Sequence, residues 1–190
     1  MMELKKTLYV TNKKDWRAWL SKNHNREKEI WLIYYKKSSG KPRISYNDAV
    51  DGALCFGWID STAKSIDDEK YAQRFTPRRK GSLLSQLNKE RVRKLILEKR
   101  MTKFGLDAIA HAFDSKTDAP DDFKISSDIL TAIKKNKDAW KNFQKFPESY
   151  KRIRIAYIGH RREQSKEDFE KRLNYFIKMT AKNKRFGFVR

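Results

Sequence analysis

The chain has 190 residues, room for one domain or two small ones, and its 38% apolar and 13% aromatic content supports a packed core rather than wholesale disorder. A single cysteine excludes an internal disulfide framework, and with only three scattered histidines beside it no His/Cys metal site is expected. The formal net charge of +21 is uneven: residues 74–103 carry 11 basic and 2 acidic side chains and residues 134–190 carry 18 and 6, with a net acidic stretch between them. Two such blocks predict a polyanionic partner, whether nucleic acid, an anionic membrane surface or a phosphorylated ligand. Lysine outnumbers arginine, however, and planar two-point recognition favours arginine, so a purely solubilising surface is the competing explanation.

No apolar run approaches the roughly 18 residues of a membrane-spanning helix. The basic start MMELKK is followed by no apolar stretch, so the expected location is cytoplasmic.

In chain order, residues 8–10 read as a short strand. Asn12 and Asp15 are spaced as a capping box for a helix with Trp16, Trp19 and Leu20 on one face, and residues 23–25 end it, with His24 supporting the C-terminus. Residues 29–37 (EIWLIYYKK) read as a strand apolar on both faces, which predicts a central strand covered from both sides. Residues 38–42 form a turn without phosphate-loop spacing. Ser45 and Asp48 start a helix that buries Ala49, Val50, Ala53 and Leu54 and ends at Gly57. Cys55 lies in its last turn, where the helix dipole raises a thiol pKa, so it reads as a small buried hydrophobe rather than a nucleophile.

Residues 58–65 and 70–76 flank an acidic turn and read as a hairpin. With Asp67 and Asp68 at its tip, Trp58, Asp60, Thr62, Tyr71, Gln73 and Phe75 share one face: apolar walls with a few polar groups, either a pocket floor or a half-buried sheet. The exit from the hairpin is basic. Arg74, Arg78, Arg79, Lys80 and Ser82 form the candidate anion site, with cations just ahead of a serine-capped helical region.

Ser85 or Asn88 then caps a helix with Val92, Leu95 and Ile96 inward, and Thr102 caps another with Leu106, Ile109, Ala110 and Phe113 inward. Residues 114–124 are acidic, contain Pro120 and read as a linker. Beyond it the pattern is helical: Ile129, Leu130 and Ile133 lead into Trp140 and Phe143 up to Pro147. A second helix holds Ile153, Ala156 and Tyr157 inside a ring of basic residues that includes Arg154 and Arg161. Ser165 and Asp168 cap a last helix with Phe169, Leu173, Phe176 and Ile177 on one face, and the basic tail 182–190 is expected to fray. The expected architecture is α+β: residues 1–113 with a small, mainly antiparallel sheet of about four strands and packed helices, a linker over 114–124, and an all-α domain over 125–190.

HExxH, CxxC, GxSxG, Walker A and GxGxxG patterns are all absent, and no cofactor is expected. The words EIWLIYYKK, ISYNDAVDGALCFGWIDS, YAQRFTPRRKGS and LNKERVRKLILEKRMTKFGLDAI follow one another in an order that resembles the YdeI/OmpD-associated family of bacterial proteins, over about residues 16–109. The last segment resembles that family's small helical domain more loosely, and Leu84 stands where the family shows a tryptophan. The resemblance implies a role in bacteriocin protection or stress tolerance and brings no assigned reaction, cofactor or catalytic residue.

Three functions follow as expectations. The first is a protein that binds nucleic acid or another polyanion through its basic surfaces. The second is a small-molecule binder or enzyme at the Trp58/Asp60/Arg74 hairpin, with Asp60 as acid, base or anchor and Arg78 or Arg79 holding an anionic substrate. The third is a module that docks a protein partner on its helical domain.

Overall fold

The computed structural model describes residues 6–114, 123–160, 162 and 164–187. The fold is α+β, and the chain divides into two compact units, Met1–Leu84 with Arg91–Asp114 and Ser85–Glu90 with Ser115–Arg190.

The first unit holds strands β1 (Thr7–Leu8), β2 (Ile30–Tyr35), β3 (Trp58–Ser65) and β4 (Lys70–Pro77) in the order β1-β2-β4-β3. β1 runs parallel to β2, and the other pairs are antiparallel. Helix α1 (Lys13–Asn23) starts where the Asn12 side chain accepts from the Lys14 and Asp15 amides, and α2 (Tyr46–Cys55) starts where Ser45 accepts from Asp48. His24 caps the end of α1. The apolar faces of both helices join Ile30, Leu32 and Tyr34 of β2, Phe75 of β4 and Trp58 of β3 in one core. Trp16 stands edge-on to Phe75 at 5.4 Å and donates from Nε1 to the Ala49 carbonyl at 2.9 Å; Trp19 stands edge-on to Trp58 at 5.8 Å.

The other face of β2 departs from expectation. Trp31, Ile33 and Tyr35 join neither core cluster, yet Trp31 is only 6% exposed, its outer-face neighbour Ala72 is buried, and Ile33 and Tyr35 are half-buried, so the second face is covered more thinly than the first. Alternation along a strand sends these three away from the helices that bury Ile30, Leu32 and Tyr34.

Helix α3 (Gln86–Leu97) buries Val92 and Leu95, as its periodicity predicts. Helix α4 (Lys103–Ile109) is capped by Thr102 and buries Ile109, but Leu106 is 41% exposed and Gly105 is buried in its place. Thr102 Oγ1 accepts from the Gly105 amide and donates to the Cys55 carbonyl at 2.6 Å, so this helix is pulled backbone-first onto the end of α2. A side chain at position 105 would overlap the Cys55 carbonyl group.

The second unit contains α5 (Ser127–Lys135), α6 (Lys137–Lys145), α7 (Glu148–Gly159) and α8 (Lys166–Ala181). The single apolar run through Trp140 is broken at Asn136, which ends α5 and caps α6 by accepting from Ala139. Ile129, Ile133, Phe143, Tyr150, Ile155, Ile158, Leu173 and Phe176 build the core. In α7 the expected facing is reversed at two positions: Arg154 is buried and Tyr157 is 48% exposed. The tail also departs from expectation as far as it is described, because Phe186 packs on this core and its amide donates to the Tyr150 hydroxyl at 3.2 Å. The expectations for Arg161, for tail residues 188–190 and for the linker over 115–122 lie outside the described residues. Among the described residues no helix is long and apolar enough to cross a membrane.

Gly105→Ala should lower stability by about 1–3 kcal/mol, the usual scale for overpacking a rigid contact. Gly159→Ala, whose new methyl meets nothing within 4 Å, should not. Urea midpoints of the two variants provide the comparison.

Candidate functional site

The outward face of the sheet gathers aromatic rings and cations. The register pairs Trp31 with Arg74, Ile33 with Ala72 and Tyr35 with Lys70 across β2 and β4, and Lys64 of β3 pairs with Ala72. The Lys64 ammonium lies 5.1 Å from the centre of the Trp31 ring; those of Lys41 and Lys70 lie 4.6 and 5.9 Å from the Tyr35 ring. Tyr9, 43% exposed, meets Tyr35 edge-on at 5.2 Å. Carboxylates sit at the margin: Glu29 takes Arg74, Glu69 takes Lys41 at 2.9 Å and Asp67 takes Lys70 at 3.5 Å. Trp31, Tyr35 and Lys64 were missed as functional candidates. The signal was available in the alternation of Trp, Ile and Tyr at 31, 33 and 35 opposite Lys, Ala and Arg at 70, 72 and 74.

The residues expected to floor a pocket fall differently. Trp58 and Phe75 are sealed in the core, at 1% and 0% exposure, and Trp58 Nε1 donates to the His24 carbonyl. Asp60, paired with Phe75, faces the helices and accepts from the Tyr46 hydroxyl at 2.7 Å. Arg74, next to Phe75 on β4, faces the opposite way and is bonded to Glu29, so the sheet separates Asp60 from Arg74. A bulge between Asp60 and Ala63 shifts the ladder by one residue, which leaves Thr62 exposed and off the inner face. Gln73, only 7% exposed, holds that bulge by donating from Nε2 to the Ser61 carbonyl at 2.9 Å. Tyr71 stacks on Tyr34 at 5.2 Å.

The candidate anion residues also separate. Arg78 is 9% exposed and donates to the Ser82 and Leu83 carbonyls at 3.3 and 2.9 Å, so it braces its own loop, and burial lowers its pKa. Ser82 donates to the Arg79 carbonyl rather than capping a helix, because α3 begins only at Gln86. Arg79 and Lys80 are exposed. Cys55 is fully buried, and burial pushes its thiol pKa up, the wrong direction for a nucleophile. Among the described residues no three His, Cys, Asp or Glu side chains gather as a metal site.

Residues 8–108, just over half of the chain, match the family model described as a domain of unknown function (DUF8412). The chain belongs to that family. Residues 122–183 match the model for bacteriocin-protection, YdeI or OmpD-associated proteins. The YdeI/OmpD-associated assignment is thus carried by the helical segment, whereas the words that resemble it in sequence lie over about 16–109. No curated protein and no solved structure matches the chain. The sheet therefore lies in the DUF8412 segment, and helices α5 to α8 lie in the YdeI/OmpD-associated one.

Within the DUF8412 segment one buried polar group stands out. Tyr34 is 1% exposed, and its hydroxyl has no hydrogen-bond partner among the described residues. Burial, then the neighbouring Tyr71, Tyr46 and Asp60, push its pKa well above the ordinary value; burial and then the bond to Asp60 do the same for Tyr46. The folded state therefore holds these phenol protons more tightly than the unfolded chain does, and stability is lost as pH rises above about 10. Tyr34→Phe removes a hydroxyl that gains nothing, so stability near pH 7 should stay level or rise by up to about 1 kcal/mol. The alkaline loss should become shallower. Denaturant midpoints measured across neutral and alkaline pH test both, and a fall at neutral pH would contradict the assignment.

Proposed function

We propose that this protein acts in the cytoplasm, in a bacteriocin-protection or stress-tolerance role, by binding single-stranded nucleic acid on the outward face of its sheet. The observation that carries the reading is the set of lysines resting on the half-buried Tyr35 and on the edge of Trp31, which is itself 6% exposed. Unpaired bases stack on aromatic side chains while cations track the backbone, and four-stranded sheets present rings for this purpose. Magnitudes favour exchange at Tyr35. Stacking a base contributes about 1–3 kcal/mol. An exposed lysine–ring contact such as Lys41 on Tyr35 contributes about 0.5–1 kcal/mol. A base therefore displaces Lys41 from the half-buried Tyr35 ring, while Lys64 and the 6% exposed Trp31 floor the surface beside it. Arg79 and Lys80, exposed in the same unit, add positive potential. The hairpin reading as an enzyme site gains no support from this geometry, because Asp60 and Arg74 lie on opposite faces.

The test is fluorescence anisotropy with a labelled single-stranded oligonucleotide. Binding should weaken at least about tenfold between about 50 and 200 mM salt. Lys64→Glu combined with Lys70→Glu should weaken it about tenfold or more at low salt, and a duplex should bind less well than the single strand. Absence of binding at low salt, or an equal loss from Lys166→Glu in the other unit, would refute the reading.

A further inference from the structure

The helical unit contains a cation in an unusual setting. Arg154, on α7, is 9% exposed, and its guanidinium carbon lies 4.0 Å from the centre of the Phe186 ring and 4.9 Å from that of Tyr157. Its Nε is sealed from solvent and has no hydrogen-bond partner among the described residues. Arg172, on α8, lies 4.1 Å from the centre of the same Tyr157 ring and donates to the Tyr157 carbonyl at 3.0 Å. Tyr150, Tyr157, Tyr175 and Arg172 act on the charge of Arg154, and among the described residues no carboxylate forms an ion pair with it.

Neighbouring cations of the unit behave otherwise. Lys151 is bonded to Glu148, Arg152 to Glu90 and Arg162 to Asp128. Arg154 and Arg172 share a tyrosine ring instead, and their like charges repel. A desolvated guanidinium without a counter-charge is destabilising, and buried charges are ordinarily paired. The setting is complete once an anion supplies the missing charge. Two guanidiniums match a dianion better than a carboxylate, and a guanidinium fork suits phosphate oxygens. Tyr157 and Tyr175, 48% and 50% exposed, bring aromatic surface to solvent beside Arg172 and Phe186.

We propose that Arg154 and Arg172 hold a phosphate monoester in the helical unit. This site is independent of the sheet face, and either stands without the other. Arg154 supplies the fixed, desolvated donor; the half-buried Arg172 supplies the second charge. A phosphate monoester gains its second negative charge around pH 6, so affinity rises from pH about 5.5 to about 7.5, whereas a carboxylate ligand would show no such rise.

The probes are inorganic phosphate and adenosine monophosphate, with chloride at matched ionic strength as control, read by thermal shift and calorimetry on the full chain. Both phosphates should raise the melting temperature above the chloride control, more at the higher pH, and a tighter nucleotide would place its ring on the exposed tyrosines. Arg172→Gln should weaken binding at least about tenfold, in keeping with the loss of a charge-assisted contact. Arg154→Met removes an uncompensated buried charge while keeping the apolar stem, so it should melt at or above the wild-type temperature and bind neither probe. A wild-type shift no larger than that in chloride, equal shifts in wild type and both variants, or an Arg154→Met protein that is destabilised and still binds would each overturn the proposal.

Discussion

The first unit depends on one carbonyl group. The Cys55 carbonyl, at the end of α2, accepts from both the amide and the hydroxyl of Thr102, at 3.1 and 2.6 Å. That double bond draws α4 onto the α2 terminus so closely that only glycine fits at 105. Two residues on, Gly57 adopts φ 74° to turn the chain into β3, and its carbonyl accepts from the Arg78 amide as the chain leaves β4. The end of a helix, both ends of the hairpin and the start of the last helix of the unit are therefore tied within three residues. The buried thiol is part of this joint, which gives Cys55 a packing role in place of a chemical one.

Net charge alone says little about where an anion could settle. Many cations have partners: Arg91 reaches Asp51 at 2.5 Å, Arg74 meets Glu29 and Arg152 meets Glu90. Such pairs hold elements in place and contribute little attraction for a ligand. What distinguishes Lys64 and Arg154 is that each rests on aromatic rings, one for Lys64 and two for Arg154, in place of a carboxylate among the described residues. A ring leaves the cation's net charge uncancelled where a carboxylate would neutralise it, so these positions, rather than the densest basic runs, have charge to offer an anion.

Local structure was legible in the sequence wherever a single turn of chain decides it. Asn12, Ser45, Thr102 and Ser165 cap helices because their side chains reach amides two or three residues ahead. The hairpin followed from its acidic turn. What was not legible depended on partners far along the chain. Nothing near residue 31 says that α1 and α2 lie on the same side of the sheet and leave Trp31 to be covered by a lysine of β3. Nothing near Arg154 announces Phe186, 32 positions on, which turns a basic surface residue into a buried one. The one-face grouping around Asp60 keeps Trp58, Tyr71, Gln73 and Phe75 and loses Thr62 alone, since alternation assumes an unbroken ladder and the bulge breaks it there.

That bulge has a consequence for how the hairpin can change over evolutionary time. Beyond Asp60, the side of the sheet that receives Lys64 is set by chain length between positions 60 and 63, whatever side chains stand there. An uninterrupted ladder of the same strand would rotate Lys64 inward, beside the tyrosines and against the hydrophobic interior. Lineages that shorten this segment by one residue would keep the lysine outside, whereas lineages that smooth the ladder without shortening it would reverse the polarity of the hairpin's outer half.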